Sequence, residues 1–292
     1  MKNYHISVMA EQVIEFLAPR PGGLYVDCTF GGGGHTRALL QADPTLEVIA
    51  FDVDPDAFEH NREALEADFP GRVRFVWANF ATLRLALKKI GVMQVDGIIA
   101  DFGTSQHQIE HKPGFSFSRD KKLDMRMSTA HGTVTAADIV NHADERELAT
   151  IFWRYGQEPA GKQIARAIVQ ARQETKILTT GQLVDIVKKV VKALPKGIHP
   201  ATRVFQALRI VVNHELDHIE GLLKQAPEVL RPGGRIVCIS FHSLEDRLVK
   251  HAFKEHATSL HILTPKVVLP SSHEVAQNPS SRSAKLRAAQ KI

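Results

Sequence analysis

An apolar run, Leu24-Tyr25-Val26, leads through Asp27, Cys28, Thr29 and Phe30 into four consecutive glycines, Gly31 to Gly34, followed by His35 and Thr36. Glycine lacks a Cβ and enters positive φ at little steric cost, so such a turn lets a ligand lie against bare backbone. A helical pattern begins at once, over 36–42. A strand, a glycine loop and a helix in direct succession form the opening unit of an α/β sheet. The acid at the strand end narrows the choice of ligand. Dinucleotide sites seat a pyrophosphate on the helix N-terminus, where a neighbouring carboxylate would repel it. Asp27 suits a cationic amine instead. The spacing also departs from G-x-G-x-x-G, because Thr36 stands at the third glycine position.

Strand and helix signals go on alternating through the first hundred residues, the pattern of a parallel sheet covered by helices. Strands are expected at 24–28, 47–52, 73–77 and 95–100, and helices at 36–42, 55–68 and 80–90. The next strong strand, 234–241, begins more than 130 residues after Asp101. A crossover in such a sheet takes a few tens of residues, so roughly ninety residues have been inserted. Apolar residues at three- and four-residue spacing predict helices in the insertion at 136–141, 145–155, 159–172, 180–194 and 200–223. Its entrance, 102–128, has no period and is polar, aromatic and glycine-containing, as loops that belong to sites are. A helix over 243–256 and two strand candidates, 261–269 and 283–288, follow and could pair as a hairpin at the sheet edge. The expected organisation is a discontinuous domain, 1–105 with 213–292, interrupted by a helical substrate-recognition domain at 106–212.

Charge follows the same division. Residues 106–212 carry 17 Lys and Arg against 10 Asp and Glu, a net of +7 within a chain whose total is +5. After Glu274 the tail carries Arg282, Lys285, Arg287 and Lys291 with no acid. Basicity gathered into one segment and a tail suggests contact with a polyanion. The first twenty residues include Glu11, Glu15 and Arg20, so no signal peptide is expected, and no apolar run approaches the ~18 residues of a membrane span. Two cysteines, Cys28 and Cys238, in apolar segments read as reduced core residues of a cytoplasmic protein.

Asp52 ends the second strand, where a carboxylate can take both hydroxyls of a ribose while the glycine loop lies beneath the ligand. Phe80, after the third strand, is placed to touch an adenine. With Asp27 toward an amine, this set suits S-adenosylmethionine. The fourth strand ends in Asp101-Phe102. Methyl transfer to an exocyclic amine needs an acceptor that holds an N–H, because the nitrogen lone pair is delocalised into the ring. An aromatic face can hold the base out of its stack. Asp101 serves either as that acceptor or as a partner of the methionine amine, and the sequence does not choose between them. Phe115, Phe117 and Phe241 are candidates to stack on a flipped base, a contact worth ~1–3 kcal/mol. Asp124 and Arg126, flanking a methionine in an aperiodic loop, are candidates to grip a base or phosphate. Arg203 and Arg209 on one expected helix, and His242 at a strand end, complete the candidate substrate set.

Five long motifs occur in order: 114–120 (GFSFSRD), 123–127 (LDMRM), 199–210 (HPATRVFQALRI), 239–247 (ISFHSLEDR) and 278–287 (NPSSRSAKLR). With them the chain resembles the MraW family from His5 to Arg287. The resemblance implies a Rossmann-like methyltransferase sheet, S-adenosylmethionine as donor, and N4-methylation of a cytosine in the decoding region of 16S ribosomal RNA within the small subunit. It also implies cofactor contacts at Gly33, Gly34, His35, Asp52, Phe80, Asp101 and Gln108, no metal, and neither DNA nor membrane as a partner. The chain departs from the family after Asp101. The family usually reads Leu-Gly-Val-Ser-Ser-Pro-Gln there, whereas 102–108 is FGTSQHQ, with a bulkier Phe102 and His107 and no proline.

Three other readings compete. His214, Glu215 and His218 match H-E-x-x-H on an expected helix, the signature of zinc hydrolases, whose i, i+4 histidines share a face. With 15 histidines in the chain, such a match arises by chance in roughly one chain in twenty of this composition, and no third ligand follows at a helix-compatible distance. A nicotinamide-dependent oxidoreductase would use the same sheet and Asp52 but fails on Thr36 and Asp27. A non-catalytic RNA-binding protein has no need of Asp27, Asp52 and Asp101.

Overall fold

The computed structural model describes residues 7–104, 106–116, 119–130, 132–192 and 199–292, with the backbone alone at positions 106, 107 and 110. The chain divides into two compact units, 1–105 with 216–292, and 106–215.

The described residues of the first unit form a seven-stranded sheet. Its strands are β1 (Leu24–Asp27), β2 (Glu47–Asp52), β3 (Val73–Trp77), β4 (Val95–Asp101), β5 (Leu230–Ser240), β6 (Leu260–Ile262) and β7 (Lys285–Lys291), ordered β3-β2-β1-β4-β5-β7-β6. Strands β1 to β5 run parallel, and β7 lies antiparallel to both β5 and β6. This is a Rossmann-like, doubly wound arrangement. The chain winds outward from β1 through β2 and β3, then restarts on the other side of β1 with β4. Ligands bind at the carboxyl ends beside such a reversal. The strands earn their place in the middle of the sheet by composition: Val26, Ile49, Ala50, Phe51, Ile98, Ile99, Ala100, Val237 and Ile239 are all fully buried. Continuous apolar runs of this kind suit a sheet covered on both faces. Cys28 and Cys238 are free and buried within it, and burial pushes the Cys28 thiol well up.

The sheet edge differs in detail from expectation. The strand expected over 261–269 shortens to β6, and Val268 contributes an isolated bridge to Leu286. The last strand runs to Lys291 rather than ending at 288. Arg287, counted above among the basic residues of the tail, faces Asp246 at 2.6 and 3.2 Å and is 8% exposed. It braces β7 against helix Ser243–Glu255 and is withdrawn from any polyanion.

The second unit is helical, with helices Gln106–His111, Ala136–His142, Glu145–Gly156, Gly161–Glu174, Thr180–Val190 and Thr202–Val212 among its described residues. Capping boxes at Thr135 with Asp138 and at Thr179 with Gln182 start two of them. Its core is its own, built from Leu123, Leu148, Phe152, Ile164, Ile168, Leu183, Val187, Val204 and Leu208. Gly156 lets helix Glu145–Gly156 pass close to Thr202–Val212, since a Cβ there would lie 2.5 Å from the Arg203 carbonyl oxygen. The single helix expected over 200–223 is two, Thr202–Val212 and Glu215–Val229, separated at Asn213 and His214. No described helix is long and apolar enough to cross a membrane.

Candidate active site

Register places the acids at one end of the sheet. Asp27 pairs in register with Ala50 of β2 and Ile99 of β4, Asp52 ends β2 opposite Trp77, and Asp101 ends β4 opposite Ile239. All three therefore gather at the carboxyl ends of β1, β2 and β4, around the point where the winding reverses.

The glycine loop is held from both sides. Asp52 Oδ2 accepts from Gly31 N at 2.8 Å, and its Oδ1 accepts from Asp54 N at 2.9 Å. Each oxygen keeps a lone pair for a further donor. Burial, partly opposed by those two backbone donors, pushes the Asp52 carboxyl up to about 6. Asp54, not Asp52, caps the following helix by accepting from Asp56 N. Gly33 has φ +72 and caps helix Gly34–Ala42 without a side chain, so the first N–H groups of that helix have no side-chain acceptor at the cap.

Asp27 is placed under the loop rather than at its surface. Its side chain has no solvent exposure, with Oδ2 accepting from Thr36 Oγ1 at 2.7 Å and Oδ1 from Thr29 N at 3.1 Å. Burial raises its pKa against the pull of His35 and these donors. An enclosed carboxylate holding two donors, Asp27 shapes the loop from below. Thr29 carries the tie onward, its Oγ1 accepting from Asp101 N at 2.7 Å.

Asp101 is the more available acid. Its Oδ2 lies 3.4 Å from Nε2 of His35, while Oδ1 is shielded from solvent and has no hydrogen-bond partner among the described residues. Leaving a buried acceptor unpaired costs ~1–3 kcal/mol, which marks the position as one made for a donor from outside the chain. His35 itself is 5% exposed.

Phe80 is half-buried, its ring centroid 6.0 Å from Phe102 and 6.4 Å edge-on from His218. Phe102 is 2% exposed and belongs to the core of the first unit, with its N–H on the Ile239 carbonyl. The bulkier residue at 102 thus fills the sheet's core and backs Phe80. Gly103, at φ +122, comes so close to Phe241 that a Cβ would meet its ring at 3.2 Å. His242 caps helix Ser243–Glu255, its Nδ1 accepting from Glu245 N, and Glu245 returns Oε2 to the N–H groups of Phe241 and His242. Glu245, fully buried, is a structural carboxylate that the sequence reading passed over; the S/T-x-x-E pattern hides because histidine stands at the cap.

In the helical unit, Asp124 and Arg126 hold each other. Arg126 Nε and Nη2 bind the two carboxylate oxygens at 2.7 and 2.8 Å, and Nη1 donates to Gly132 O. Arg126 lowers the Asp124 pKa despite burial. The pair closes its own loop around Met125, at φ 67, with the Arg126 guanidinium held on both carboxylate oxygens of Asp124. Arg209 is likewise forked on Glu215, and Arg203 stands 3.8 Å from Glu158, a carboxylate only 2% exposed. Phe115 is half-buried, and Gln108 is buried in helix Gln106–His111. Phe117 lies outside the described residues.

The zinc reading loses its geometry. His214 stands before helix Glu215–Val229 at φ 50, so it and His218 do not form an i, i+4 pair on one helix. Asn213 makes this break, donating Nδ2 to Met125 O and Arg209 O while Oδ1 accepts from Met127 N.

Comparison with known proteins adds a family. The model of the MraW methylase family matches residues 2–292. Three relatives named ribosomal RNA small subunit methyltransferase H align along nearly the whole chain. The one from Cyanothece sp. is 47% identical over 99% of this chain and 95% of its own length. That from Geobacter sulfurreducens is 48% identical over 99% of both, and that from Clostridioides difficile is 43% identical over the full length of both.

Proposed function

The chain belongs to the MraW methylase family, and on that premise we propose that it is an S-adenosylmethionine-dependent methyltransferase acting on small-subunit ribosomal RNA, adding a methyl group to N4 of a cytosine in the decoding region. The observation that carries the reading is the unpartnered Oδ1 of Asp101, at the end of β4 beside the glycine loop. The names of the full-length relatives support the substrate class. A cytoplasmic address goes with a ribosomal substrate.

The residues fit the cofactor. Asp52 keeps acceptor capacity on both oxygens for a ribose diol, Gly33 at φ +72 turns the loop into helix Gly34–Ala42, and Phe80 offers a half-buried ring for adenine. His35 and Asp101 complete the set within the first unit, and Gln108 is added on the resemblance alone. Bound there, S-adenosylmethionine supplies a methyl group already activated by the sulfonium charge. The chain's own part is to hold the cofactor, exclude water and present an acceptor to an N–H, so positioning contributes most of the rate. Asp101 takes that acceptor role or holds the methionine amine. Phe241, backed by Gly103, offers an aromatic face for the base, with Phe115 and Phe117 as further candidates. The +7 charge of residues 106–212 supplies attraction to RNA. With Arg126 and Arg209 committed to internal carboxylates, lysines such as Lys188 and Lys189 are the better phosphate partners.

Calorimetric titration with S-adenosylmethionine tests the cofactor half of the reading. Since Asp52 must be ionised to accept from a ribose and its carboxyl titrates at about 6, affinity should be flat above neutrality. It should then weaken toward about tenfold per pH unit below 6 as the carboxylate protonates. An Asp52→Asn variant should bind weakly at every pH without that slope. Absence of binding at pH 7.5 would remove the cofactor assignment.

A further inference from the structure

Histidine is an uncomfortable occupant of position 35. It is the second residue of helix Gly34–Ala42, where the helix dipole disfavours a cation, and it is 5% exposed. Burial pulls an imidazole toward neutrality, yet the Asp101 contact and the carboxylates of Asp101, Asp27 and Glu274 outweigh it, so its pKa is raised. Those three acids, on β4, on β1 and on helix Ser272–Gln277, are the charged groups that act on it. Asp27 is held by Thr29 and Thr36, and Glu274 takes the backbone N–H of Met9. Asp101 is the one whose carboxylate meets the imidazole, Oδ2 to Nε2 at 3.4 Å, while its Oδ1 has no partner among the described residues.

We propose that His35 is a positioning residue that clamps Asp101 by Oδ2 and so holds Oδ1 in reserve as the unpartnered acceptor. This rests on the methyltransferase reading and goes beyond a cofactor contact: the imidazole acts through a carboxylate. The clamp is strongest with the imidazole protonated, because the 3.4 Å contact then joins opposite charges at a buried position where water screens them little. Both nitrogens of the ring are buried and neither makes a hydrogen bond among the described residues, so the 3.4 Å approach of Nε2 to Asp101 Oδ2 is an ion-pair contact and Nδ1 offers no competing anchor.

A double-mutant cycle tests the clamp without any cofactor. Wild type, His35→Gln, Asp101→Asn and the double variant are compared by thermal unfolding of the ligand-free protein at pH 6 and pH 9. A histidine whose pKa rises on folding contributes stability that is complete below its unfolded value near 6.5 and is lost as pH rises through the folded value. His35→Gln should therefore lower the midpoint by about 2–4 °C at pH 6 and by clearly less at pH 9, and the pH 6 shift should vanish beside Asp101→Asn. A shift of equal size in both Asp101 backgrounds overturns the clamp. Calorimetry and single-turnover transfer then show where it acts. His35→Gln should change whichever quantity Asp101→Asn changes, cofactor affinity or turnover, about tenfold or less and in the same direction, with no added effect in the double variant. If Asp101→Asn itself alters neither quantity, the failure is that of the site assignment. If it does and His35→Gln acts independently of it, only the clamp is rejected.

Discussion

Asp101→Ala is expected to lower methyl transfer by about 10²–10⁴-fold, the range for losing a positioned proton acceptor, while the protein stays folded. The backbone around it does not depend on the side chain: Asp101 N is held by Thr29 Oγ1, and Phe102 N by the Ile239 carbonyl. The substitution removes an acceptor whose Oδ1 has no partner among the described residues, so nothing inside the unit loses a hydrogen bond through that atom. His35 does lose its carboxylate, and its pKa should fall toward that of a buried imidazole. Single-turnover transfer to small-subunit RNA, run beside calorimetry with S-adenosylmethionine, separates the two roles that the sequence left open. Lost turnover with intact cofactor affinity makes Asp101 the acceptor for the substrate amine. Affinity lost in step with turnover makes it the partner of the methionine amine. Full activity would remove it from both.

Gly33→Ala should damage both the cofactor loop and the fold through a single added methyl group. At φ +72 an L-residue is strained by about 1–2 kcal/mol. The added Cβ would also lie 2.9 Å from Leu65 Cδ1 and from two atoms of the Phe30 ring. Both neighbours are 2% exposed in a packed core, where overpacking costs about 1–3 kcal/mol. Phe30 is further braced by Phe58 and Phe75 at 5.3 and 5.4 Å, so it cannot swing aside cheaply. The loop should shift, weakening cofactor binding by at least about tenfold and lowering the urea midpoint. Wild-type affinity and stability in that variant would show that the loop accommodates a side chain.

Much of the fold was legible in the sequence because the central strands are runs of Val, Ile, Ala and Phe that end in an acid. Twofold burial writes itself into a parallel strand in that way, so β1, β2 and β4 were readable together with the residues at their tips. Where apolar period is the only signal, it misleads. Val211, Val212, Leu216, Ile219 and Leu223 continue one helical stripe, yet the helix breaks at 213–214. Asn213 captures three backbone groups there, and side-chain capture of backbone has no periodic signature. Ion pairing is equally silent in sequence: Arg126, Arg209 and Arg287 look like cations available to RNA, and each proves to be forked on a carboxylate. In sequence, Asp27 reads as an acid suited to a cationic amine because a carboxylate there would repel a pyrophosphate. Its place beneath the loop depends on Thr29 and Thr36 closing over it, which only the folded turn reveals.

The central claim is tested most directly by mass spectrometry of nucleosides from small-subunit ribosomal RNA in cells with and without this gene. N4-methylcytidine in a decoding-region fragment should be present with the gene, absent on its deletion, restored by the wild-type chain and not restored by Asp101→Ala. An undiminished N4-methylcytidine signal in the deletion strain would contradict the account.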